Sequence, residues 1–297
     1  MPPVLRMRTD KMERIKIGFY GYGTRALDAL MEHKDFEVRY FLAPESRIDK
    51  ACHEAEAKYR DYFKMEHIKN RKELAGRIAD IHDVECFLMN ASPIILDHTI
   101  LDHMDFYNIH PGNLHSNRGH HPHLWSILLD EKETEINLHK VETEIDLGTV
   151  IECILVPVLP GDTSQTLLDR AEDEIPRLLD TLASYLRGDC AEKGVVKEGG
   201  YRRKMTYEDY RMDAGEDSWE VMDRKIRARA MHSGGFFEVG NRRVYVDRMI
   251  ERRQEGNGGP VLTEGPGTLT LTRKGETIVF GQSKQTDTEG NVLWKRE

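Results

Sequence analysis

The stretch from Asn108 to His123 is the part of the chain richest in side chains that can do chemistry. It holds five of the thirteen histidines, namely His110, His115, His120, His121 and His123. Asn108 and His110 are two residues apart on a predicted strand, so their side chains point to the same face. An amide N–H and an imidazole on one face can converge on one oxygen atom. This arrangement suits a site that stabilises an oxyanion or transfers a proton.

The same histidines could instead bind a metal, because imidazole is a common zinc ligand. Their spacing includes no H-E-x-x-H pair, and a loop containing proline and glycine would have to be ordered by the metal. We therefore predict no metal site, with histidines that lie at the surface or make hydrogen bonds. The individual roles of His115, His120, His121 and His123 stay open at this point.

A second candidate is the glycine-rich turn Gly21-Tyr22-Gly23-Thr24-Arg25-Ala26, which follows a predicted strand and opens a predicted helix. With Glu45 about 20 residues further on, it matches the dinucleotide-binding pattern. In this interpretation the chain is an NAD-dependent oxidoreductase that uses His110 as acid or base. The alternative is that the glycines only allow a tight turn from the first strand into the first helix.

The elements that must position these side chains alternate between strands and helices, as in an α/β fold with a mostly parallel sheet. The apolar runs predict strands at 15–19, 36–43, 84–89, 107–110 and 135–141. Helical spacing predicts helices at 24–33, 122–129 and 163–186. Ligands bind at the carboxyl ends of strands in such sheets, so the polar stretch that begins at Asn108 is well placed for a site.

The chain is long enough for two domains. We predict an N-terminal tail at 1–14, a Rossmann-like catalytic domain at 15–187, a glycine-rich linker at 188–204 and a C-terminal domain at 205–297. In the last part, a helix at 218–231 precedes strands at 236–239, 243–246, 268–272 and 277–280, separated by glycine-containing turns. This pattern predicts a small β-barrel of the OB type.

Several motifs that occur in one order resemble the folate-dependent formyltransferase family. They are Asn108-Ile109-His110, then Leu114, Arg118-Gly119 and Pro122, then Ile145-Asp146-Leu147-Gly148 and Leu159-Pro160-Gly161-Asp162-Thr163. Two departures stand out. His110-Pro111-Gly112-Asn113-Leu114-His115 stands where the family often has His-x-Ser-Leu-Leu-Pro, so the serine and the loop proline are absent. His120-His121 also replaces small residues before Pro122, which implies an acceptor pocket lined by imidazoles.

The resemblance implies direct transfer of a formyl group from the co-substrate N10-formyltetrahydrofolate to an amine, without a metal. By this likeness Asn108 and His110 stabilise the oxyanion and Asp146 assists proton transfer. A carboxylate beside an imidazole favours its protonated form. The likeness places the pterin near Met89, Asn90, Ile94, Leu96, Val141, Glu142 and Ile145.

The distribution of charge along the chain favours one class of acceptor amine over another. The net charge of −9 divides into −11 for residues 1–184 and +2 for residues 185–297. An acidic front half disfavours a long polyanion beside the site, so we expect a small amine, most simply a nucleotide-linked amino sugar. Methionyl-tRNA stays an alternative, because residues 202–204 and 224–229 are locally basic. A non-catalytic binding protein is a third interpretation, against which the retained Asn108, His110 and Asp146 argue.

The cellular compartment and the oligomeric state are predicted from less specific patterns. The basic N-terminal residues are not followed by an apolar segment, and no apolar run approaches the roughly 20 residues of a membrane span. We therefore expect a cytoplasmic protein without a membrane partner. The apolar strands of the C-terminal part suggest a homodimer as a further hypothesis.

Overall fold

The computed structural model describes residues 13–296, so all but two residues of the predicted tail lie outside the described part. The chain divides into two compact units. The first contains the chain up to His110 together with Asn137–Cys153 and Glu174–Lys197. The second contains Pro111–Ile136, Ile154–Asp173 and the chain from Glu198 onward. The domain boundaries proposed from the sequence stay a prediction.

The strands alternate with helices through the first two thirds of the chain. The strands are β1 (Ile15–Gly21), β2 (Phe36–Pro44), β3 (Met65–Ile68), β4 (Cys86–Asn90), β5 (Phe106–His110), β6 (Arg118–Gly119), β7 (Glu133–Lys140), β8 (Gly148–Pro157), β9 (Gly194–Val196), β10 (Tyr201–Arg202), β11 (Gly235–Val239), β12 (Arg242–Arg253), β13 (Val261–Gly265), β14 (Thr268–Arg273), β15 (Glu276–Asp287) and β16 (Val292–Lys295).

The helices cover the sheet strands or connect them. They are α1 (Thr24–Glu32), α2 (Lys50–Tyr59), α3 (Arg71–Ala79), α4 (His98–Leu101), α5 (Pro122–Leu128), α6 (Ser164–Glu172), α7 (Ile175–Leu186), α8 (Tyr207–Tyr210) and α9 (Trp219–Ala228). Side chains that precede them satisfy free backbone N–H groups. Asp49 accepts from the N–H of Cys52 before α2, Asn70 from Glu73 before α3 and Ser218 from Val221 before α9.

The large sheet has the strand order β3-β2-β1-β4-β5-β7-β8-β9. Strands β1 to β5 pair in parallel, whereas β7 runs antiparallel to β5. The central strands β1, β4 and β5 are buried along almost their whole length, as expected for strands covered on both faces. The predicted α/β class with a mostly parallel sheet is confirmed, and the antiparallel strand β7 makes the sheet mixed.

The helices after β8 differ from the prediction. The helix predicted over 163–186 is two helices, α6 and α7, because Pro176 lacks the N–H that would continue α6 into α7. Within the predicted linker 188–204, β9 pairs antiparallel with β8 at the edge of the large sheet.

The C-terminal sheet is antiparallel, with the order β11-β12-β15-β14-β13 and with β16 paired to β15. Strand β12 is long and has three register shifts against β15, and such bulges bend a strand. Its apolar face packs with α9 around Met222, Val244, Leu269 and Phe280. This curled sheet is consistent with the predicted barrel-like domain. Within residues 13–296, we find no helix long and apolar enough to span a bilayer.

Candidate active site

Asn108 and His110 lie on β5, which is flanked by β4 on one side and by β7 on the other. Because β5 is central in the sheet, both side chains are almost completely buried, at 6% and 5% exposure. The neighbouring strand contributes Asn90, whose Nδ2 donates to the carbonyl oxygen of Ile109 at 3.1 Å. These hydrogen bonds fix the end of β5, where the two polar side chains lie.

Asp146 comes to the same place from the loop between β7 and β8. Its Oδ2 lies 3.5 Å from Nδ1 of His110, and its Oδ1 lies 3.5 Å from Nδ2 of Asn108. The backbone of Asp146 is left-handed, with φ of +52°, a conformation that Asp and Asn tolerate better than most residues. The loop thus turns the carboxylate back onto β5. The structure brings together the three residues proposed as catalytic from the sequence.

A fourth polar residue, His139, completes this group and was not identified from the sequence. It lies directly opposite Asn108 in the antiparallel pairing of β5 with β7, and it is 1% exposed. Its Nε2 lies 3.1 Å from Nδ2 of Asn108 and 3.7 Å from Oδ1 of Asp146. In the sequence, Asn137 and His139 alternate with Ile136 and Leu138, a pattern that indicates no partner for His139 without the register.

The surroundings of His139 assign its tautomer. Burial lowers the pKa of His139 to about 4, so the ring is neutral near pH 7. Its Nδ1 lies 3.1 Å from the carbonyl oxygen of Lys140, which can only accept, so Nδ1 carries the proton. Nε2 is then the acceptor for one N–H of Asn108. His139 therefore orients the amide of Asn108. The second amide N–H is directed toward Oδ1 of Asp146, which lies 3.5 Å from Nδ2.

We expect the buried neutral state of His139 to make the protein less stable in mild acid. The unfolded chain binds a proton on this histidine as the pH falls through about 6.5, while the folded chain does so only near pH 4. The free energy of unfolding is therefore unaffected by this histidine above pH 6.5, and it decreases progressively as the pH falls from 6.5 toward 4. Replacing His139→Gln should reduce the loss between pH 7 and 5 by about 2 kcal/mol.

Urea unfolding at pH 7 and pH 5 measures this difference. The matched control is His103→Gln, because His103 is exposed in the same unit. The control should keep the wild-type loss of stability. An equal loss in wild type and in His139→Gln would show that His139 is not held neutral by the fold.

The residues proposed to bind the pterin are grouped only in part. Met89, Ile94, Leu96 and Val141 belong to one apolar cluster with Tyr20 and Phe106, and Leu96 is buried in it. Asn90 lies at the end of β4, next to this cluster in the chain. Glu142 is exposed and Ile145 half-buried in the loop that carries Asp146. Their role in binding stays a prediction.

The loop that follows β4 is fixed by a partly buried pair of hydroxyl groups. Ser92 Oγ donates to the phenol oxygen of Tyr20 at 3.0 Å and accepts from the N–H of Ile94 at 3.1 Å. Burial raises the pKa of Tyr20 to about 12, so the phenol stays protonated. A wall of Met89 and Ile94 held in this way could pack against a flat ring.

The glycine-rich turn is explained by contact with β4. A Cβ at Gly23 would lie 1.7 Å from Oδ1 of Asn90, and one at Gly21 would lie 2.0 Å from its carbonyl oxygen. The N–H groups of Tyr22 and Gly23 donate to the carbonyls of Ala91 and Asn90. In a dinucleotide site, N–H groups of this turn would face the phosphates. Packing against Asn90 therefore accounts for both glycines.

The other four histidines of the stretch 108–123 lie in the second unit. We call residues 111–121 the histidine loop; it contains His115, His120 and His121, and His123 follows in α5. The rings of His121 and His123 meet edge to face, 6.1 Å between centroids. Among residues 13–296, no group of three or more His, Cys, Asp or Glu side chains is arranged to hold a metal ion.

Comparisons with known proteins show what the chain is similar to. A family model described as formyl transferase matches residues 47–181, which include β5, β7 and the loop that carries Asp146. The predicted resemblance to folate-dependent formyltransferases is confirmed, and the chain has the formyltransferase fold.

The methionyl-tRNA formyltransferase of Bifidobacterium longum is 33% identical over 149 residues, which are 49% of this chain and 45% of that protein. The chain spans about half the length of the relatives that it matches.

Solved structures agree on the fold over more of the chain. HypX from Aquifex aeolicus, in complex with tetrahydrofolic acid, has a TM-score of 0.66 at 17% identity, and the match covers 93% of this chain and 45% of that one. The N-formyltransferase from Helicobacter canadensis, in complex with folinic acid and dTDP-3-aminofucose, has a TM-score of 0.62 at 13% identity, covering 90% and 99%. At these identities the likeness concerns the fold alone.

Proposed function

We propose that this protein transfers a formyl group from N10-formyltetrahydrofolate to the primary amine of a small molecule. The observation that carries the proposal is the group formed by the buried Asn108 and His110 with the half-buried Asp146, whose carboxylate lies 3.5 Å from each of them. The match of the formyl transferase model to residues 47–181 supports it. The folates bound to HypX and to the Helicobacter canadensis enzyme support a folate donor.

In the proposed reaction, the acceptor amine attacks the formyl carbon and a new C–N bond forms. The developing oxyanion accepts hydrogen bonds from the amide of Asn108 and from His110. The amine loses its proton toward Asp146, directly or through water, and the bond from the formyl carbon to N10 of the folate breaks. His110 returns a proton to N10. The order of the two proton transfers is left open, because His110 and Asp146 act as a pair.

We propose a nucleotide-linked amino sugar as the acceptor class. The match covers 99% of the Helicobacter canadensis enzyme, and that enzyme was solved in complex with dTDP-3-aminofucose. The two imidazoles that precede Pro122 can accept or donate hydrogen bonds to hydroxyl and phosphate groups of such a compound. The histidine loop is therefore proposed to contact the acceptor.

Charge pairing in the second unit argues against transfer RNA. Four of the seven basic residues considered as a polyanion face are paired with carboxylates. Arg203 pairs with Asp209, Lys225 with Asp217 and Arg227 with Asp223, each within 2.7 Å, and Arg224 lies 3.9 Å from Asp130. The side chains of Lys225 and Arg227 are also at most 20% exposed. Binding of a polyanion depends on cations free to face phosphates. Methionyl-tRNA stays the alternative because of the sequence relatives.

Calorimetric titration tests the donor. We expect saturable binding of N5-formyltetrahydrofolate, the stable isomer of the donor, and no heat from NADH. Binding of NADH without folate binding would instead support the oxidoreductase alternative and remove the basis of this proposal.

The acceptor is tested with formyl donor labelled at the formyl carbon. Amino sugars linked to dTDP or UDP are compared with methionyl-tRNA, and the labelled product is identified by mass spectrometry. Label in the tRNA and not in any sugar nucleotide would overturn the acceptor class while leaving formyl transfer intact.

A further inference from the structure

The histidine loop is held by a segment from far along the chain. We call residues 198–204 the strap; the strap and the histidine loop both belong to the second unit. β10 of the strap pairs in parallel with β6 of the loop. The N–H of Arg118 donates to Gly200, the N–H of Gly200 to His115, and the N–H of His120 to Arg202. The strap therefore binds the loop through its backbone across most of its length.

Glycines allow this close contact. A Cβ at Gly199 would lie 2.5 Å from the carbonyl oxygen of Leu114, and one at Gly200 would lie 2.7 Å from that of Ser116. On the loop side, Gly119 has φ of +93°, and a Cβ there would lie 2.6 Å from the carbonyl oxygen of Arg202. Backbone touches backbone at all three positions, so a larger side chain at any of them would push the strap from the loop.

Asn117 connects the loop to its support by side-chain bonds. It is completely buried. Its Nδ2 donates to Glu131 at 2.7 Å and to Ser126 at 3.2 Å, and its Oδ1 accepts from Nε of Arg202 at 2.7 Å. The side-chain amide of Asn117 thus links the carboxylate of Glu131, which follows α5, to the guanidinium of Arg202 in the strap. A buried polar group of this kind keeps one arrangement because any other would leave hydrogen bonds unmade.

Trp125 in α5 completes the contact with the strap. Its Nε1 donates to the carbonyl oxygen of Arg203 at 3.2 Å. The guanidinium carbons of Arg202 and Arg203 lie 5.7 and 5.6 Å from its ring centre, within cation–π range. Arg202 donates to Asn117, whereas the guanidinium of Arg203 is paired with Asp209.

We propose that the strap sets the conformation of the histidine loop and thereby the affinity for the acceptor, with Asn117 and Arg202 as positioning residues. This inference rests on the proposed function, in which the loop contacts the acceptor. It predicts that loss of the Arg202 bond loosens the loop without altering the donor site, because no residue proposed for folate binding lies in the strap or in the loop.

The test compares Arg202→Ala with Arg203→Ala. The two variants lose the same charge beside the same indole ring, but only the first loses a bond to the loop. Hydrogen–deuterium exchange of the amides of Arg118 and His120 is measured first. We expect exchange at least tenfold faster in Arg202→Ala than in wild type, and unchanged exchange in Arg203→Ala. Thermal melting followed by circular dichroism verifies that both variants are folded.

Steady-state kinetics then use the sugar nucleotide that wild type formylates. We expect Arg202→Ala to raise the acceptor KM about tenfold, with kcat within threefold of wild type and unchanged affinity for N5-formyltetrahydrofolate. Unchanged exchange in Arg202→Ala would overturn the strap's role whether or not the protein is a formyltransferase. Faster exchange with an unchanged KM would overturn its role in acceptor binding. Absence of transfer by wild type would count against the proposed function alone.

Discussion

Replacing Asn108→Ala is expected to lower kcat for formyl transfer by 10²- to 10³-fold, on the order of 3 kcal/mol in transition-state stabilisation. The amide of Asn108 is fixed before substrate arrives, because Nε2 of His139 accepts one of its N–H groups at 3.1 Å. A donor that is already oriented in a buried site stabilises the developing oxyanion without reorganising. The alanine variant has no donor at this position.

The kinetic pattern distinguishes this role from substrate binding. An interaction that forms only in the transition state lowers kcat and kcat/KM by the same factor, whereas loss of ground-state binding raises KM. We therefore expect the KM of both substrates and the affinity for N5-formyltetrahydrofolate to stay within twofold of wild type. Single-turnover measurements with labelled donor isolate the chemical step.

Folding must be checked for the same variant. The alanine leaves Nε2 of His139 without its amide partner in a buried site, which costs about 1 to 3 kcal/mol of stability. Asn241→Ala serves as the control, because Asn241 is exposed in the turn between β11 and β12. Wild-type kcat in a folded Asn108→Ala protein would remove Asn108 from the catalytic group.

Much of the first unit could be predicted because its central strands are rich in apolar residues and alternate with segments of helical spacing. The prediction of Asn108 and His110 on one strand face needed only the two-residue period of a strand. Asp146 was identified as a catalytic candidate through the family resemblance. Its return to β5 depends on a left-handed residue in the loop, which no periodicity reveals.

The missed features depend on contacts between distant segments. His139 meets Asn108 only because β7 pairs antiparallel with β5 in one register, and register is set by tertiary structure. The strap was predicted as part of a linker because its glycines lack periodicity. The glycines in fact allow contact with the histidine loop, as those of the turn after β1 allow contact with Asn90. Glycine alone does not distinguish flexibility from close packing.

Replacing Asp146→Asn is expected to lower kcat by 10²- to 10⁴-fold, the range of a general acid–base contribution. Asparagine is the appropriate replacement because it tolerates the left-handed backbone at this position, φ of +52°, as well as aspartate does. The variant therefore removes the charge beside Nδ1 of His110 and keeps the loop. The lost proton acceptor and the lost partner of the imidazole both act on the chemical step.

Single-turnover measurements with labelled donor provide an independent readout for Asp146. We expect the rate of the chemical step to fall in Asp146→Asn while the KM of both substrates stays near wild type, because the carboxylate is proposed to act on proton transfer and not on binding. Glu144→Gln is the matched control, since it removes one exposed carboxylate two residues earlier in the same loop. An equal loss in both variants would assign the effect to the charge of the loop. A loss confined to Asp146→Asn would locate it at the carboxylate that lies 3.5 Å from His110.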